Sequence, residues 1–100
     1  MKTFGVLKKE VLAWAEPKKL LTPKNKMAQG LKTLEEVNEM LDAINNRNKK
    51  ELIDAIGDVL VTLIIQCKKN ELEPEECLQH ALGVIKNRTG KTINGKFYKD

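Results

Sequence analysis

One block of this chain constrains its fold more than any other. Between Leu52 and Ile65, apolar residues stand at 52, 53, 55, 56, 59, 60, 61, 63, 64 and 65 and cover most of a helix's circumference. A helix that is apolar nearly all round is buried nearly all round. The chain has 100 residues, one domain's worth, and its other helices are too few to surround one of their own members. The block therefore predicts contact with a second subunit. Aromatic residues make up only 4% of the chain, so Leu, Ile, Val, Met and Ala must build the core, which suits packed helices.

Punctuation divides the rest. A first helix is expected from about Thr3 to Glu16, ended by Pro17. A second should follow Thr22-Pro23, read as an N-cap with proline at the first helical position, and run to about Asn45. A third should span about Lys49 to Lys69, and a fourth Pro74 to about Asn87. The tail TINGKF carries Asn-Gly between short β-prone segments and predicts a small hairpin. The expected architecture is an all-α, four-helix bundle-like subunit over residues 1–100, with a short C-terminal hairpin, completed by oligomerisation.

No secretory or membrane-spanning segment is visible. The longest apolar stretch, Val59 to Ile65, is interrupted by Thr62, against the roughly 20 residues a bilayer requires. A cytoplasmic protein with two reduced thiols, Cys67 and Cys77, is expected. The net charge of +4 conceals a division. From Glu35 to Asp58 there are seven acids against three bases, whereas Lys86 to Asp100 holds five bases against one acid.

Asp58 lies inside IGDVLVTLII, the most apolar stretch of the chain. A buried carboxylate requires a base, hydrogen bonds or a metal, and no Lys or Arg lies within a turn of it. At ~100° per residue, Asp54 falls ~40° and Glu51 ~20° from Asp58 around the helix. The second helix carries Gln29, Lys32, Glu36 and Glu39 within a strip of ~80°, with Glu35 at its edge. Packed antiparallel across the Asn45–Asn48 turn, the two stripes bring several carboxylates together, and like charges at that density call for a cation or for protons. Oxygen-only ligands suit Mg²⁺ or Mn²⁺ better than zinc. Read as ordinary amphipathic helices, the same stripes are solvent faces.

EEVNEMLDAI at 35–44 followed by DAIGDVLVTLI at 54–64 resembles the all-α nucleotide pyrophosphohydrolases of the MazG type, in particular the small single-domain versions carried by phages. Their pattern is EExxE on one helix and ExxD on the next. Glu35, Glu36 and Glu39 match the first part and Asp58 the final Asp. Trp14-Ala15, Ala28-Gln29 with Lys32, and the tail GKTINGKFYKD extend the likeness over nearly the whole chain. One departure stands out: three residues before Asp58, where the family has Glu, this chain has Ala55. Either Asp54 reaches the same space or Glu51-Leu52-Ile53-Asp54 supplies the ExxD.

The resemblance implies Mg²⁺-dependent hydrolysis of a nucleoside triphosphate to monophosphate and pyrophosphate by a homodimer or tetramer, in the host cytoplasm if the chain is phage-encoded. It implies Glu35, Glu36, Glu39 and Asp58 as catalytic residues. The metal ligands expected are Glu36, Glu39, Asp54 and Asp58, with Glu51 in support. Lys32, Lys86, Arg88 and Lys91 are expected on phosphates, and Gln29 on base or sugar. A basic helical nucleic-acid-binding or regulatory protein is the alternative, allowed by the pI near 9.1. Only two arginines, Arg47 and Arg88, speak for it, and the acids sit on the long central helices.

Overall fold

The computed structural model describes all residues, 1–100. Four helices are followed by a two-stranded hairpin: α1 Phe4–Ala15, α2 Lys26–Asn45, α3 Lys49–Lys69, α4 Pro74–Ile85, β1 Gly90–Ile93 and β2 Lys96–Lys99. Thr3 caps α1, its hydroxyl accepting from Val6 N at 3.3 Å. Pro17 lies in a single 3₁₀ turn, Glu16–Lys18, that ends this segment. Asn94 and Gly95 both adopt left-handed backbone, φ 51° and 79°, as a two-residue hairpin turn of the type matching strand twist requires. The strands pair from Ile93 with Lys96 out to Gly90 with Lys99, and Thr89 Oγ1 donates to Asp100 Oδ2 at 2.8 Å across the open end.

The start of α2 differs from the sequence expectation. The helix begins at Lys26 and not behind Thr22-Pro23, after Asn25 in left-handed backbone without a side-chain cap. The reason lies 47 residues away in the chain. Lys69, buried at the end of α3, donates its ammonium to the carbonyls of Thr22 at 3.1 Å and Lys24 at 2.8 Å. Those carbonyls are turned to the ammonium and are not available to a helical turn.

The dominant packing is between α2 and α3; α1 and α4 each lie against α3. Lys8 of α1 reaches Glu73 and Glu75 at the start of α4, at 2.8 and 2.6 Å. The β-hairpin packs against no helix. The apolar core is small: Ala15, Ala43, Ala55, Ile64 and Ile65, with no large side chain fully buried. Much of the apolar circumference of α3 is open within one chain, Ile53 at 63% and Leu60 at 48% exposure. No helix is long and apolar enough to cross a membrane. Cys67 and Cys77 are free thiols, half-buried and exposed.

Candidate functional site

The site follows from the turn between α2 and α3. Arg47 takes left-handed backbone, φ 53°, and Asn48 caps α3 by accepting from Glu51 N at 3.1 Å. The chain reverses within three residues, so the acidic stripes of the two helices face each other. Ala43 and Ala55 are buried there, and such small side chains let the helices approach. Over this floor opens a cleft of about 300 Å³ lined by Glu39, Asp42, Glu51, Asp54 and Asp58.

Carboxylate oxygens of Glu36, Glu39 and Asp58 lie within 4.8 Å of one another. Glu36 is only 7% exposed. Its Oε1 stands 3.3 Å from Lys32 Nζ, while Oε2 is buried without a hydrogen-bond partner. An unpartnered carboxylate oxygen in a protein interior is costly. Glu39 is pushed above the ordinary carboxylate range, first by its hydrogen bond with Glu36, then by the charge of Glu36, by desolvation and by the charge of Glu35; Lys32 opposes the rise. Lys32 is raised in turn, first by its hydrogen bond to Glu36 and then by the charge of Glu35. Both shifts have one cause, a cluster short of positive charge. Its donors are oxygen only and one of them is orphaned, so the residues fit a hard divalent cation.

The family model of the MazG nucleotide pyrophosphohydrolase domain matches residues 25–91. The chain belongs to this family. No curated protein and no solved structure matches it. The matched MazG region contains both acidic helices and ends inside β1.

Of the four ligands expected from sequence, this MazG chain brings three together: Glu36, Glu39 and Asp58. Asp54 and Glu51 line the same cleft outside that triad. Ala55, standing where the family has Glu, forms part of the cleft floor. Glu35 stays apart, exposed and 3.5 Å from Lys32 Nζ. Asp42, which sequence reasoning passed over, lines the cleft; its signal was the position three residues after Glu39.

Three expectations need correction. Asp58 is exposed in the chain and Glu36 is the buried acid. The apolar flanks of Asp58 are themselves partly open to solvent, so they do not desolvate it. Gln29, expected on base or sugar, is buried, and its amide donates to the Thr62 carbonyl at 3.0 Å, tying α2 to α3. Thr62 is small enough to admit it and turns its own hydroxyl back to Val59 O at 2.7 Å. Lys86, Arg88 and Lys91 follow α4 or stand on the β-hairpin, which touches no helix, so one chain does not bring them to the cleft.

Proposed function

We propose that the chain hydrolyses a nucleoside or deoxynucleoside triphosphate to the monophosphate and pyrophosphate, with Mg²⁺ (or Mn²⁺) held by Glu36, Glu39 and Asp58 and supported by Asp54 and Glu51. The observation that carries this reading is the orphaned Glu36 Oε2 within a carboxylate triad, in a chain of the MazG family. When bound, the cation neutralises phosphate charge and acidifies water. The chain's own residues do the remainder. Lys32, half exposed beside the triad, would meet phosphate oxygens. Glu39 in the cleft, or Glu35 from its place beside Lys32, would take the proton of the attacking water. Ala43 and Ala55 keep the floor narrow and apolar, which strengthens the charge interactions above it.

The test is incubation with a panel of NTPs and dNTPs, with and without Mg²⁺, and resolution of the products. Monophosphate with pyrophosphate, only when Mg²⁺ is present, is the expected result. Orthophosphate with diphosphate would mean that a different phosphorus is attacked and would overturn the reading.

The same reading includes a homo-oligomer. Ile53, Leu60 and Leu63 of α3 and Leu78 and Leu82 of α4 are each at least 44% exposed, far more apolar surface than a helix bundle leaves to water. Light scattering should give a dimer or tetramer of the 11.3 kDa chain. A monomer at micromolar concentration would break this part of the proposal. Lys86, Arg88 and Lys91 act on phosphates only if a second copy carries them across.

A further inference from the structure

The C-terminal hairpin neither packs against a helix nor buries a residue. Its register sorts the side chains onto two faces. Gly90, Thr92, Phe97 and Lys99 share one; Lys91, Ile93, Lys96 and Tyr98 share the other. On the first face the ring of Phe97 closes over Gly90, where an added Cβ would stand 2.7 Å from Phe97 Cζ. That ring has its partner inside the hairpin. On the second face Tyr98 is 50% exposed, with Lys91 directly across the ladder and Lys96 Nζ 5.9 Å from the ring centroid. The bases of this segment are Lys86, Arg88, Lys91, Lys96 and Lys99. None of them pairs with a carboxylate. The one acid, Asp100, accepts from Thr89 Oγ1.

We propose that this second face binds a single-stranded nucleic acid, with Tyr98 stacking on a base and Lys91 and Lys96 meeting the phosphates beside it. Neither the carboxylate triad nor Mg²⁺ takes part. Charge and ring together select the partner. A run of unpaired cations calls for a polyanion. An exposed ring set between two of them calls for a flat apolar surface, and a single strand supplies unstacked bases along its phosphates.

Other polyanions satisfy only half of this. A duplex keeps its bases stacked inside and would leave the ring without a partner. An anionic membrane would attract the lysines, but Ile93 and Tyr98 are the only apolar side chains on this face, too narrow a patch to enter a lipid surface. The acidic cleft of a second copy, lined by five carboxylates, would match the lysines and press the phenol ring against charge.

Labelled oligo(dT) and oligo(U) of about a dozen nucleotides, within the usual range of single-strand site sizes, are titrated with the whole chain in EDTA at low salt. At least one should raise the anisotropy saturably, and a duplex of equal length should bind more weakly. Tyr98→Leu should weaken the single strand by about five- to a hundredfold, the usual span for loss of a stacking aromatic. Tyr98→Phe should keep most of the affinity. Lys96→Gln should reduce the slope of log K against log salt by about 0.7, one phosphate contact on a single strand. Thermal melts establish that the variants fold. If no single strand binds, the proposal falls. If Tyr98→Leu binds like the parent, or the duplex binds as well as the single strand, the hairpin is a cationic surface without base stacking and the proposal is overturned. Capture by phosphatidylserine-containing vesicles in place of oligonucleotide would overturn it in favour of a lipid surface. Dissociation of an oligomer by Tyr98→Leu and Lys96→Gln, with no strand bound, would overturn it in favour of a second copy.

Discussion

Along α2 the buried residues are Gln29, Glu36 and Ala43, and along α3 they are Ala55, Thr62, Ile64, Ile65 and Lys69. Along α4 and the β-hairpin there are none. The central pair is held by small apolar contacts and by polar side chains with long-range partners, Gln29 on Thr62 and Lys69 on the loop before α2. Of the outer elements, α4 lies against α3 without burying a residue and is tied to α1 by the ion pairs at Lys8, and the hairpin is held by its own backbone. A lone two-stranded hairpin is at best marginal in water, and a helix of 12 residues is short for independent stability. The contrast separates two tasks. The α2–α3 pair must hold carboxylates a few ångströms apart against their repulsion, which demands a rigid frame. The outer elements offer apolar and basic surface, which fits them to meet something else.

The largest effect that can break this contrast is on turnover. Asp58→Asn in the triad should lower it by about a hundredfold or more, since one of the three carboxylates proposed to hold the cation loses its charge, whereas Glu75→Gln on α4 should leave it near the parent value. Comparable losses in both would show that the frame and the periphery do not divide the work.

Gln29→Met tests the frame itself. Loss of the bond to Thr62 O should destabilise the chain by about 0.5–1.5 kcal/mol in denaturant melts, with KM for nucleotide unchanged. A raised KM in a chain of unaltered stability would return Gln29 to the substrate.

The raised proton affinity of Glu39 makes a smaller prediction with a definite sign. The folded chain holds this proton at pH values where the unfolded chain has released it. Without metal, stability should therefore fall as pH rises from the ordinary carboxylate range through the raised value, then level off. Saturating Mg²⁺ should abolish that fall, because a ligand of the folded state alone stabilises it. Thermal melts with chelator and with Mg²⁺ across this range decide the matter. A flat metal-free profile would mean that the triad carries no strain.

The smallest effect belongs to the periphery. Glu75 is held below the ordinary carboxylate range, first by its hydrogen bond from Lys8 and then by one from its own backbone N–H. A depressed carboxyl stabilises the fold above its unfolded value and loses that contribution as pH falls through the folded one. Hydrogen exchange in α4 should therefore accelerate on acidification through and below the carboxylate range, sooner than in α2. Lys8→Met should remove the difference in pH dependence. Because the pair is exposed, the change in global stability should be slight.

Much of this was legible in the residues. Periodicity and punctuation gave α3 and the start of α4 to the residue, α1 to within one residue, and the hairpin turn at Asn94-Gly95. The spacing of Glu36 and Glu39 on one helix and Asp58 on the next, joined by a short turn, placed three carboxylates opposite one another, because a helix fixes the angle of each side chain about its own axis. That angle says nothing about what stands across from it. Only the packing of helix on helix decided that Glu36 would be buried and Asp58 exposed, that Gln29 would meet a carbonyl, and that Asp54 would line the cleft outside the triad. The late start of α2 required Lys69. Local sequence sets propensity and phase; distance between residues far apart in the chain is set by how closely small side chains allow two helices to approach, and by which buried polar groups must find each other.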